Sequence, residues 1–225
     1  MTLDGTANPS FTGRAPFEAG NYDIRAELGH TEGRNLFHSF GRFSLRTGER
    51  ATFSGPDEIR NVISRVTGGA RSDIDGTIHS TIPGADFYFI NPAGVAFGPN
   101  ALLNVPGSFH VATADELRFA DGARFSAGDP AASSFTVAAP EAFGFLGHSP
   151  APILVDRSTL EVRQGEALSI IGGDITVDGG NNGGAGGSVT ITTPELRIVE
   201  AGSRPIAKKP AAPATSSSLQ RTAWS

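Results

Sequence analysis

The chain has 225 residues, with 29 glycines, 15 prolines, no cysteine and a formal net charge of −5. That load of glycine and proline excludes a mainly helical protein, because these are the two poorest helix formers. The lack of cysteine excludes disulfides, thiolate metal centres and cysteine nucleophiles. The last 22 residues hold Arg204, Lys208, Lys209 and Arg221 and no acid, which leaves residues 1–203 at −9. A body that acidic lacks the basic face needed to bind a nucleic-acid backbone.

Up to about Gly69 the chain is aromatic and irregular, with Phe11, Phe17, Tyr22, Phe37, Phe40, Phe43 and Phe53. Ser54-Gly55-Pro56-Asp57 resembles a helix start, and Ile59, Val62, Ile63 and Val66 fit a helical stripe. The β-branched pair Val62-Ile63 suits extended backbone equally well, so a strand or a single irregular turn is expected there. From residue 87 the pattern turns to period 2. Phe87/Phe89, Val95/Phe97, Leu103/Val105, Phe109/Val111, Leu117/Phe119, Phe135/Val137, Leu160/Val162, Ile175/Val177, Val189/Ile191 and Leu196/Ile198 each read as a strand with one buried face. Turn pairs such as Asn91-Pro92, Gly98-Pro99, Pro106-Gly107, Asp121-Gly122 and Gly172-Gly173 separate them. The Gly179–Gly187 run reads as a flexible corner: it has no Lys-Ser/Thr for a phosphate cradle, and strand-like residues follow it. From about Ala201 the composition is that of a linker, ending on an unpacked Trp224.

From 87 to 125 the apolar pairs recur about every 6 to 8 residues, and three such steps, about 20 to 24 residues, close one coil of a three-faced β-solenoid. A β-sandwich, with hairpins at roughly 8 to 12 residues, is the competing architecture. A solenoid needs its first coil sealed, because an open apolar interior and bare strand edges are exposed there. The aromatic stretch up to Gly69 is the candidate for that seal.

Few residues point to chemistry. Asn91-Pro92-Ala93-Gly94 is the sharpest local signal: the Asn side chain can bond a backbone N–H two residues on, Pro presets φ, and Gly suits the fourth position of a type I turn. Gly98-Pro99-Asn100 repeats the device one strand later. His30, His38, His79, His110 and His148 have no metal-ligand spacing, so no metal site is expected. Asp73, Asp75 and Asp86 are the only acids that offer a β-helical hydrolase or lyase anything, and turn formation explains them as well. No nucleophile elbow, kinase or dinucleotide signature is present. The expectation is a protein that is no enzyme and takes no cofactor.

Three blocks, in order, resemble a known family: Gly33-Arg-Asn-Leu-Phe-His-Ser-Phe-Gly-Arg-Phe43; Asn61-Val-Ile-Ser-Arg-Val-Thr-Gly-Gly69 running into Ser72-Asp-Ile-Asp-Gly-Thr-Ile78; and Phe89-Ile-Asn-Pro-Ala-Gly-Val-Ala-Phe-Gly-Pro-Asn100 with Gly107-Ser-Phe109. Together they are similar to the haemagglutination activity domain at the N-terminus of filamentous haemagglutinin-type exoproteins, the two-partner secretion domain. Leu3-Asp-Gly-Thr6 looks like its start and Ile171–Val177 like the first coils of a following shaft. The resemblance covers about residues 3 to 200.

It implies an all-β fold: a right-handed parallel β-helix with an N-terminal β cap and small extra-helical antiparallel sheets. The expected layout is a domain over 1–200, with cap and first coils in 1–69 and β-helix coils in 70–200, then a disordered tail over 201–225. It implies a monomer recognised by a TpsB-type outer-membrane barrel with POTRA domains, and secretion to the surface of a Gram-negative-type bacterium. No signal-peptide pattern opens the chain, so either a mature or trimmed product or a chain that is not exported is expected.

The family's Asn-Pro-Asn-Gly turn maps onto Asn91, Pro92, Ala93 and Gly94, with Ala in place of the second Asn, so no contact by that side chain carries over. Asn35, Leu36, Phe37, His38, Ser39 and Phe40 form a block typical of one branch. A glycan- or host-surface-binding adhesin module and a polysaccharide-degrading β-helix are the alternative functions.

Overall fold

The computed structural model describes residues 1–147, 149–179, 181–182, 188–193, 196–199 and 217–219. His148, most of the Gly179–Gly187 corner and most of the 201–225 tail, Trp224 included, lie outside the described residues.

Three parallel sheets wrap one apolar interior as a β-solenoid of about 6 turns. The long face stacks Asn35–Arg42, Asn61–Val66, Asp86–Ile90, Phe109–Ala112, Ala167–Ile171 and Ser188–Thr192. The second face stacks Asn21–Arg25, Arg50–Ser54, Thr77–Ser80, Leu102–Asn104, Thr159–Leu160 and Asn181–Asn182. The third stacks Ser72–Ile74, Val95–Phe97, Ile153–Asp156, Ile175–Asp178 and Leu196–Val199, with Leu45 bridged to Ile74 beneath them. Parallel pairing throughout the coils excludes the face-to-face sandwich, whose neighbours are joined by hairpins.

Register lines like side chains up along the axis. Leu36, Val62, Phe87, Phe109 and Leu168 stand one above the next, all buried. Rings dominate the early interior: Phe53 meets Phe87 edge-on at 4.8 Å, and Phe87 stacks on Phe109 at 5.6 Å. Burying one such ring is worth about 1.5–3 kcal/mol. Rung length shortens along the stack. Leu36 pairs with Val62, 26 residues on; Phe87 pairs with Phe109, 22 on; Leu168 pairs with Val189, 21 on; the exception is the rung from Phe109 to Leu168, 59 residues long because it carries an excursion.

The first rung is sealed by antiparallel strands. Thr2–Asp4 lies along Asn35–Arg42, with Leu3 opposite Phe40, and Thr12–Arg14 lies outside it. Phe17–Glu18 covers Asn21–Arg25 on the second face, and His30–Glu32 folds back on the start of Asn35–Arg42. These strands take up the hydrogen-bonding edge that would otherwise template another chain. At the far end, Ser217–Leu219 pairs antiparallel with Ser188–Thr192.

Asn61–Val66 is a strand, and its mixed periodicity has a physical cause: both of its faces are buried. Two apolar pairs prove to lie off the coils. Leu117/Phe119 belongs to an excursion that leaves the coil after Ala112 and rejoins it at Ile153. Its three strands, Glu116–Phe119, Arg124–Ser126 and Pro140–Gly144, are antiparallel. Phe135/Val137 lies in no strand, and Val137 is 66% exposed. Period 2 reports a buried face without naming the partner it is buried against. Leu117, Phe119 and Phe125 form a second core with Phe37, Ile63, Ile90 and Ala112, on the outer side of the long face.

Candidate functional site

The 91–94 corner links the long face to the third face. Asn91 is completely buried and every polar atom it has is used. Its N–H donates to Ala112 O in the coil above (3.0 Å), and its carbonyl accepts from Gly94 N–H (3.0 Å), closing the turn. Its Oδ1 accepts from Ala93 N–H at 2.9 Å. Its Nδ2 donates to Ala70 O at 3.0 Å and Ser72 Oγ at 2.9 Å, in the coil below. One amide side chain therefore ties its own turn to the rung beneath, while its backbone holds the rung above. Gly94 has φ +107, and a Cβ there would sit 3.1 Å from Pro152 O, so glycine fits this position on two counts. Pro92 and Ala93 are half-buried and are what the turn presents outward.

The next corner is built differently. Ala101 N–H closes on Gly98 O at 2.9 Å, but Asn100 is exposed and donates from its backbone and its amide to Asp75. A bond from the Thr47 hydroxyl, and then those from Asn100, hold the Asp75 carboxyl below its ordinary value.

The block 35–40 is buried along its whole length. Leu36 and Phe40 enter the coil interior, and Phe37 meets Phe125 of the excursion at 5.0 Å. Asn35 donates to Thr136 O and Ala138 O at 2.8 and 2.7 Å and accepts from Asn61 Nδ2 at 2.8 Å. His38 donates from Nε2 to Arg25 O at 3.2 Å, its Nδ1 has no partner, and burial pushes its pKa down to about 4. In the folded domain these six side chains are architecture, not surface.

A buried polar node passed over at the level of sequence sits beside them. Arg65 is fully buried. Its Nε donates to Ser39 Oγ at 2.8 Å and its Nη2 to Thr6 Oγ1 at 2.9 Å. Its Nη1 donates to Ser126 O at 2.5 Å and to Ser133 Oγ, and the guanidinium lies 4.0 Å over the Phe125 ring. Burial lowers its pKa to about 10, against the pull of Asp4. Burial alone would raise the Asp4 carboxyl; bonds from Thr67, Thr6 and Ser39 outweigh it and hold the group below its ordinary value. The cue in the sequence is a lone charge inside Val62-Ile63-Ser64-Arg65-Val66, since an arginine buried in a strand must find partners.

The three acids do not form one centre. Asp73 pairs with Arg71 at 2.6 Å, Asp75 caps the Asn100 corner, and Asp86 accepts from Ser108 N–H at 2.8 Å on the long face. Among the described residues no group of three His, Asp or Glu could hold a metal ion. His30 stacks on Phe135 at 4.2 Å, His79 bonds Asn104 O, and His110 stacks on Tyr88 at 4.5 Å.

The family model described as TPS secretion domain matches residues 13–209. No curated protein matches the chain.

Proposed function

The chain belongs to the TPS secretion domain family, whose members serve secretion by a two-partner route, and from that footing we propose that it is the segment by which a TpsA-type exoprotein is recognised by its TpsB transporter. The proposal includes POTRA domains on the transporter, export to the surface of a Gram-negative bacterium, and an adhesin-like full-length product. It also assigns the domain a second task, nucleating the β-helix as the chain emerges.

The observation that carries this reading is the coincidence of the family match with a solenoid sealed at its first rung. A sealed end turns growth into addition at the other end, where each rung contacts only its neighbour. Every rung added buries apolar area at about 25 cal/mol per Å², a driving force that needs no nucleotide.

Recognition is assigned to the outward side of the 91–94 turn, Pro92 and Ala93, which Asn91 and Gly94 hold in shape. The test is export with the cognate transporter. Changing Pro92→Ala with Ala93→Glu is expected to leave the purified domain folded and to abolish secretion. Undiminished secretion of that variant would overturn the assignment. Asn91→Ala separates shape from contact: it is expected to destabilise the domain by about 2–4 kcal/mol, since the buried Ser72 Oγ and the half-buried Ala70 O lose their donor and the Ala93 N–H its acceptor.

A further inference from the structure

We propose that the antiparallel unit over residues 116–144 is a lid that closes on a preformed stack of coils, and that Arg65 is its latch. The inference goes beyond recognition by a transporter and does not depend on it.

The unit shares no strand ladder with the coils among the described residues; its three strands pair only with one another. The coil runs past it. Phe109–Ala112 and Ile153–Asp156 each pair with coil neighbours on both sides, and Thr113 Oγ1 donates to Ala151 O at 2.8 Å across the neck. The rungs are therefore complete whether or not the unit is docked. What holds it down is side chains: the Phe125 and Phe119 rings against Phe37, the Asn35 amide on Thr136 O and Ala138 O, and Arg65.

Arg65 is the piece that joins three parts. It bonds Thr6 in the cap, Ser39 in the first long-face strand, and Ser126 and Ser133 in the unit. Its two contacts to the unit close 61 and 68 residues of chain, against 22 to 26 for the rungs below the unit and 59 for the rung that the unit interrupts. Longer closure costs more entropy and comes later, so the rungs below the unit form first and the guanidinium waits, half-satisfied, for the unit. Docking it completes the shell of a buried charge and covers Phe37, Ile63 and Ile90 in one step. A segment tied only by side chains to a body with its own ladders is a separate cooperative unit.

Native-state hydrogen exchange on the full 225-residue chain tests this. In the unaltered chain, amides of 116–119, 124–126 and 140–144 are expected to exchange through an opening that leaves 86–90 and 109–112 protected. Arg65→Met is expected to speed exchange of the lid amides by about 10- to 100-fold, the loss of bonds to a charged donor, while the coil amides keep their rates. Ser133→Ala removes one lid-side acceptor of the guanidinium without touching the coils; because Ser133 Oγ also accepts from Ser126 N–H, the variant is read at 116–119 and 140–144, where about 10-fold faster exchange is expected; it decides the matter if Arg65→Met does not fold. Equal acceleration of lid and coil amides, or unchanged lid exchange in Ser133→Ala, would overturn the proposal.

Discussion

The long face has two halves that obey different rules. In Asn35–Arg42 and Asn61–Val66 the strands are buried on both sides, inward against the aromatic interior and outward against the excursion. In Ala167–Ile171 only alternate residues are buried. The early half reads as near-continuous apolar sequence with polar residues bonded inside it, and the later half as a clean alternation. The difference shows that a solenoid strand takes its pattern from what covers it, not from its place in the coil.

The sharpest way to break that comparison is through the interior, where the halves should agree. Phe87→Ala is expected to cost about 3–5 kcal/mol and Leu168→Ala about 2–5 kcal/mol, read by urea midpoints. The outer side is where they should part. Ile63→Ala, under the excursion, is expected to cost about 2–4 kcal/mol. Ser169→Ala, whose hydroxyl bonds His110 at 3.0 Å on the same side two rungs past Tyr88, is expected to cost about 1 kcal/mol. Similar losses at the two sites would dissolve the distinction.

Acid sharpens it further. The row that begins with His38 continues through Ser64, Phe89, Val111 and Ile170, so only its early end can titrate. His38 must be neutral inside, with a pKa of about 4 against 6.5 when unfolded. Its contribution is whole above pH 6.5 and is lost as pH falls from there towards 4, by up to about 3 kcal/mol. His38→Leu should flatten that slope in a plot of stability against pH. His110, lowered chiefly by burial, contributes to the slope in the same direction. A variant with the original slope would place the titration elsewhere.

How much was legible follows the same division. The strands from Phe87 onward announced themselves because one face is wet. Asn61–Val66 looked part helical, since residues on both of its sides are apolar. Leu117/Phe119 was visible as a strand, yet nothing in its alternation said that it packs outside the coil. The Asn91 turn could be read from Asn-Pro and Gly, including the bond to the Ala93 N–H, but its bonds to Ala70 and Ser72 lie 19 to 21 residues away and need the stacking to exist. The 35–40 block stands out in the sequence by its likeness to one branch of the family, and its burial needs the excursion that covers it. Arg65 is a lone charge in an apolar run, a cue that the sequence reading leaves unused, and only the folded chain reveals Thr6 and Ser133 as its partners.

Apart from the rung that carries the excursion, the rungs shorten from 26 residues to 22 and then 21, and this has a geometric consequence. The ladders keep their register from one rung to the next, so the residues shed come out of the corners, and the later coils can repeat one spacing where the first cannot.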